Sequence, residues 1–252
     1  MKTYYSTHSN RSCLRLIGLL FFASFLCSCS SAPPGRVLVF CKTAGFHHES
    51  IVEGIAAIQK FGQQHHFAVD TTTDSTKFNS ENLKQYRVVI FLNTTGNVLN
   101  PSQQEAFEKF IHGGGGFVGV HAAADTEYEW PWYGKLVGAY FDGHPGNPNV
   151  RKGVFHVVDK NHLATDSIPE TWEREDEFYS FKQINPDLKV LIMIDERTYE
   201  GGKNGANHPM AWYHDYDGGR AFYTNMGHTK ESYSEPLYLK HLWGGIKYAM
   251  GD

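Results

Sequence analysis

Four histidines carry much of the chemistry this chain could perform: His48, His121, His208 and His228. An imidazole titrates near neutrality, so it can take or give a proton at physiological pH, and as a neutral ring it can ligate zinc. Asp125 and Glu177 join them as acid–base candidates, because burial beside a cleft raises a carboxyl pKa toward neutrality. His144 could donate a hydrogen bond to a bound ligand, and Tyr179 could stack on one. Trp130 and Trp132, flanking Pro131 in what reads as a loop, could stack on the apolar face of a ligand. The expected catalytic set is thus His48, His121, Glu177, His208 and His228. The expected substrate-binding set is Asp125, Trp130, Trp132, His144 and Tyr179. No pair stands at the tight ligand spacing of HExxH, so a divalent metal such as zinc is a cofactor the set could hold without the spacing demanding it. One long-range pairing can be counted out. Asp217-Gly218 reads as a two-residue hairpin turn, which places His208 opposite Gly227, beside His228; a three-residue turn ending at Gly219 would place it opposite His228 itself, so either way the two histidines are expected to be neighbours.

These residues need a frame to bring them together. Val37-Leu38-Val39-Phe40 is a short apolar run, hence a buried strand that leads into His48. Ser50 with Glu53 reads as a capping box, with Ile51, Ile55 and Ile58 at helical spacing behind it. Phe67 to Val69 and Val88 to Leu92 are further strands. Asn100-Pro101 is an N-cap with proline at the first helical position, and Phe107, Phe110 and Ile111 give that helix an inward face. Gly113 to Gly116 end the helix and turn the chain into the strand Phe117 to Val120. They are not a phosphate loop, because no Gly-Lys-Ser/Thr follows and they precede a strand. Strands apolar on both faces alternating with amphipathic helices imply α/β architecture: a flavodoxin-like doubly wound parallel sheet that binds ligands beyond the carboxyl ends of its strands. His48, His121 and Asp125 follow such ends. Beyond about residue 150 the segments 151–158, 188–194, 209–214 and 219–226 read as an antiparallel C-terminal extension, closed by a helix from Ser234 to Met250.

The run from Gly113 through Phe117-Val118-Gly119-Val120-His121-Ala122-Ala123-Ala124-Asp125 resembles the trehalose-utilisation (ThuA-like) family. So do Phe46-His47-His48-Glu49, Trp132 to Gly138, Phe141 to Pro145, Asp176 to Tyr179, His208 to Tyr213 and Gly219 through His228. The resemblance spans about residues 36–250. It implies a class I glutamine amidotransferase-like fold and a link to disaccharide use through 3-keto sugars. His162-Leu163 departs from the family's usual His-Pro. His121 stands where an amidotransferase carries its cysteine, on the turn after a strand, so glutamine hydrolysis through a thioester is not expected.

The 252 residues carry 23 basic and 27 acidic side chains, a formal charge of −4, and the chain has no basic runs. That argues against nucleic-acid binding and against an electrostatic hold on anionic lipid. Lys2, Arg11 and Arg15 precede the short apolar stretch Leu16 to Leu26, which is too short to span a bilayer as a helix. Leu26-Cys27-Ser28-Cys29 resembles a bacterial lipobox. Residues 1–28 thus read as a lipoprotein signal peptide, with Cys29 as the acylated residue. Residues 29–35 read as a tether and 36–252 as one ThuA-like domain. The expected address is the cell envelope, periplasmic or outer membrane, with membrane contact through the lipid alone. The expected partner is a small-molecule carbohydrate. A His/Glu acid–base enzyme acting on a sugar or 3-keto-glycoside is one reading. A non-catalytic carbohydrate-binding lipoprotein that supports uptake is the other.

Overall fold

The computed structural model describes residues 1–6 and 35–251. The chain divides into Met1–Ala32 and Pro33–Asp252. Cys29, most of the expected signal segment and the tether up to residue 34 lie outside the described residues. No described helix is long and apolar enough to cross a membrane.

The larger unit opens with β1 (Arg36–Phe40), α1 (Ile51–His65), β2 (Ala68–Thr72), α2 (Ser80–Leu83), β3 (Val88–Leu92), α3 (Pro101–His112) and β4 (Gly116–Val120). It continues through α4 (Pro131–Val137), the two-residue β5 (Tyr140–Phe141), β6 (Val150–Val157) and β7 (Thr171–Glu177). The two-residue β8 (Phe181–Lys182), β9 (Lys189–Asp195), β10 (Pro209–Tyr216), β11 (Gly219–Thr224) and α5 (Pro236–Met250) complete it. Nine strands form one sheet in the order β2-β1-β3-β4-β11-β10-β9-β6-β7, and β5 pairs with β8 apart from it.

Alternate side chains of the parallel strands feed two cores. Val37, Val39, Val118 and Val120 face Ile58 of α1 and Leu242 and Ile246 of α5. Leu38, Phe40, Phe91 and Phe117 face Phe107 and Ile111 of α3 and Tyr133 and Leu136 of α4. Burial on both faces is what the continuous apolar runs required.

Three local expectations are corrected. Ser50 precedes α1 but makes no capping bond to it; its Oγ donates instead to the Gly227 carbonyl at 3.0 Å. The segment around Pro131 is the helix α4, not a loop. β11 does not belong to the antiparallel extension alone: it lies parallel to β4 and takes the fifth place in the flavodoxin-like order.

β7 was not expected at all. Its inward positions are Trp172, Arg174 and Asp176, so the apolar alternation that marks a strand is broken by two buried charges. Its placement has a geometric consequence. β10, β9, β6 and β7 join antiparallel one after another, so β7 again runs in the direction of β11 and ends at the same edge. In a flat sheet, five steps from β4 to β7 would separate their ends by about 24 Å. His121, which follows β4, lies 3.2 Å from Glu177, the last residue of β7. The C-terminal half of the sheet therefore curls back over the crest formed by the carboxyl ends of the parallel strands.

Candidate active site

The crest collects side chains from four separate connections. His48 follows β1, His121 follows β4, Glu177 closes β7 and His228 follows β11. His121 Nε2 lies 3.2 Å from Glu177 Oε2. His228 Nδ1 lies 3.1 Å from the same oxygen and 3.2 Å from His121 Nε2. The His48 ring stands edge-on to both imidazoles, with centroids 4.9 Å from His121 and 5.1 Å from His228. His48, His121 and Glu177 are buried and His228 is partly so.

His121 occupies a left-handed turn, with φ of 47° immediately after β4. A side chain held there costs about 1–2 kcal/mol, which the surroundings offset. The Tyr223 hydroxyl donates to the His121 carbonyl at 2.7 Å. The Asn225 carbonyl lies 2.6 Å from His121 Nδ1. A carbonyl only accepts, so Nδ1 carries the hydrogen, and in the neutral ring Nε2 is the free lone pair that faces Glu177. Oriented to satisfy both contacts, the Asn225 amide donates to the Glu177 carbonyl and accepts from the Tyr179 N–H.

His228 is set by a buried carboxylate. Asp176 accepts from the backbone N–H of Gly227 at 2.9 Å and of His228 at 3.2 Å. Arg174 pairs with Asp176 at 3.1 Å and with Glu235 at 3.1 Å. Gly227 has φ of 109°, and a Cβ there would stand 2.5 Å from the Tyr238 hydroxyl, so only glycine fits this turn.

Charge follows from contact. Burial alone would raise the Glu177 carboxyl, but His121 and His228, which donate to it when their rings are protonated, outweigh burial and hold the group below the ordinary carboxylate range. Burial would likewise lower His228, yet the adjacent Glu177 carboxylate leaves its pKa raised. His48 is pushed down to about 2, first by burial and then by the charges of His121 and His228. Burial raises the Asp125 carboxyl, against the hydrogen bond from Tyr128.

Of the expected residues, Tyr179 and His144 also reach the cluster. The Tyr179 ring lies 4.1 Å from that of His121, and His144 Nδ1 is 3.6 Å from Glu177 Oε1. Asp125 ends the turn that begins at His121. His208 does not join them. The register that pairs Tyr216 with Gly219 runs as far as Ala211 with Thr224, three residues short of His208, which precedes β10. The His208 ring points elsewhere: Nδ1 lies 2.6 Å from Glu196 Oε1 and Nε2 lies 2.8 Å from the Tyr179 carbonyl. Trp130 and Trp132 are displaced further. Trp132 Nε1 donates to Asp217 at the hairpin tip, which sits at the amino edge of the parallel strands, opposite the crest. Trp130 stacks on Trp132 and donates to Glu108 of α3.

The exposed aromatics near the crest are others. Phe46 is 66% exposed, with its ring 4.9 Å from that of His48, and Tyr128 donates to Asp125. Asn149, also unexpected, donates to Glu177 Oε1 from the loop before β6. Nothing in its surrounding sequence marks it. The Cys41 thiol is buried, donates to the Thr72 carbonyl at 3.7 Å, and has its pKa raised by that burial.

A curled, mostly parallel sheet with a polar crest cluster defines a flavodoxin-like α/β protein with its site at the carboxyl edge. The chain belongs to the ThuA family, described as trehalose utilisation, whose pattern matches residues 36–249. It is similar to a ThuA-like protein from Bacteroides uniformis, at 26% identity and a TM-score of 0.73, over 87% of this chain and 93% of that one. A ThuA-like protein from Parabacteroides merdae aligns at 18% identity and a TM-score of 0.69, over 86% of this chain and 90% of that one. A β-galactosidase from Bacillus circulans shares the fold over 30% of its own length, at 11% identity and a TM-score of 0.55. No curated protein matches the sequence. Family membership supports a role in sugar metabolism.

Proposed function

We propose that the protein is an enzyme of disaccharide catabolism that acts on a sugar or 3-keto-glycoside by His/Glu acid–base chemistry. The observation that carries this reading is the convergence of His121 Nε2, Glu177 Oε2 and His228 Nδ1 at 3.1–3.2 Å from one another, beneath His48 and the exposed Phe46. A ketone at C3 of a sugar acidifies the C2–H. A basic member of the cluster takes that proton, and the C–H electron pair becomes the C2=C3 bond of an enolate. As the C3 ketone re-forms, a C1=C2 bond forms and the bond from C1 to the glycosidic oxygen breaks. The departing oxygen takes a proton from an acid, for which Asp125 is the candidate because burial raises its pKa. Return of the proton to the opposite face of C2 gives isomerisation instead. Phe46 offers an apolar face for a sugar ring.

The test is incubation with 3-keto-disaccharides beside plain disaccharides in deuterated water, followed by magnetic resonance. The expected result is deuterium at C2 and release of the second sugar from the keto substrates alone, falling at least about 100-fold in His121→Ala, the scale for loss of a general base. Saturable sugar binding with neither exchange nor release would identify a carrier that supports uptake. The same reading takes the body to be anchored through lipid on Cys29 at the cell envelope. A fatty-acid probe should label the wild-type chain and fail to label Cys29→Ala.

A further inference from the structure

We propose that His121, Glu177 and His228 hold a divalent transition metal of the zinc class, with His48 at its fourth corner. Zinc bonds to imidazole nitrogen and carboxylate oxygen are about 2.0–2.1 Å long, so the corners of a tetrahedron around the ion stand about 3.3–3.4 Å apart. The three donor atoms form a triangle with edges of 3.1, 3.2 and 3.2 Å. That is close to one face of such a tetrahedron. A hydrogen-bonded triad gives no reason for three nearly equal edges, since each proton lies along one edge only. The protons available are few, because the Nδ1 hydrogen of His121 is already directed at the Asn225 carbonyl. With one ring nitrogen of His48 included, all four donor atoms lie within 4.8 Å of one another. His48 is 3% exposed, yet its Nδ1 has no hydrogen-bond partner. A buried polar atom left this way calls for an explanation, and a cation ligated through that nitrogen would supply one.

The surroundings match those of metal ligands. A ligating histidine usually donates its other N–H to a carbonyl or carboxylate, which fixes the ring, as Asn225 does for His121. Asn149 holds Glu177 Oε1, the carboxylate oxygen outside the triangle. Asp176 fixes the backbone at His228. Three imidazoles with one carboxylate and no thiolate suit zinc or its neighbours better than calcium or magnesium, which prefer oxygen. Ligation would take the lone pairs of His121, Glu177 and His228 out of acid–base work, so the ion would supply Lewis-acid charge for the oxygen of the sugar enolate, entering in place of His48, and Asp125 would be left to move the proton; that role rests on the reaction proposed above. Metal capture itself needs only the donor geometry.

The full-length chain should be stripped with a chelator, dialysed against zinc and analysed for metal, then reloaded with cobalt(II). The expected result is about one zinc per chain and the visible absorption of tetrahedral cobalt. Zinc affinity should fall more than about 10-fold in Glu177→Gln and in His228→Gln and stay unchanged in the exposed His47→Ala. His228 has a partly exposed side chain, so His228→Gln keeps the test open should Glu177→Gln fail to fold. A stripped wild-type chain that takes up no zinc overturns the site. Equal zinc uptake by the two ligand variants and the wild type also overturns it. Zinc capture without sugar turnover would refute the reaction and leave the site standing; turnover by a chain that takes up no zinc would refute the site and leave the reaction standing.

Discussion

Two histidine–glutamate contacts lie along the same crest, and they differ in how their remaining valences are used. At His208 each ring nitrogen has its own partner, Glu196 on one side and the Tyr179 carbonyl on the other, and the side chain is fully buried. At His121 one nitrogen is fixed by the Asn225 carbonyl, while the other shares a carboxylate oxygen with His228. The first arrangement is closed: each nitrogen has a protein partner. The second leaves lone pairs aimed at a common point. Burial is alike in both, so it does not distinguish them. Convergence does.

The largest expected effect tests what holds the open arrangement in place. Asp176→Ala leaves Arg174 charged and buried without that partner, and loss of a buried pair's member costs about 3–5 kcal/mol. Denaturant titration should show it; a loss under about 1 kcal/mol would mean the Gly227–His228 turn is held by something else. Glu177→Gln should follow, with turnover down at least about 100-fold and the melting temperature little changed. His208→Ala should reverse that pattern. Removing a satisfied buried histidine leaves Glu196 and the Tyr179 carbonyl short of a partner, at about 1–3 kcal/mol, with activity per folded molecule retained. If His208→Ala abolished turnover in a fully folded protein, the contrast between the two contacts would collapse.

Acid should weaken the closed parts of the molecule. Burial pushes His241 down to about 3 and His162 down to about 4. Unfolded, each titrates near 6.5, so below that pH the unfolded chain binds protons that the folded one refuses. Stability from each is therefore intact above about pH 6.5 and falls by about 1.4 kcal/mol per pH unit toward the folded value. Chemical denaturation at pH 7.5, 6 and 5 should show the decline, and a flat profile would contradict it. The smallest effect is expected from Trp132→Phe, which removes one hydrogen bond to Asp217 worth about 0.5–1.5 kcal/mol. Sugar turnover should be unchanged, because that contact lies at the far edge of the sheet.

The parallel half of the fold was legible because its signals are local. Apolar runs at Val37, Val88 and Phe117 and the Asn100-Pro101 start all fell where elements form. The hairpin count around Asp217-Gly218 was also sound, as the pairing of Tyr216 with Gly219 shows. Register says nothing of where the His208 ring points, since the pairing ends at Ala211 and His208 precedes β10. β7 stayed hidden because Arg174 and Asp176 take positions that an apolar side chain would normally fill. The proximity of Glu177 to His121 comes from the curl of the sheet, which no spacing in one chain records. Trp130 and Trp132 misled for a related reason: they stand at the start of α4, Trp130 as the residue before it and Trp132 within it, and pack over α3. Phe46 is the more exposed of the two open aromatics at the crest, the other being Tyr128.

The direction of β1 sets how the molecule would present itself on a surface. The chain enters this strand at Arg36 and leaves it toward His48, so the five residues of β1 put about 16 Å of strand between the point of attachment and the crest. Any anchor borne by the preceding segment would join the body at the pole opposite the histidines. Arg36 is thus the end of β1 where an attachment would not crowd the crest.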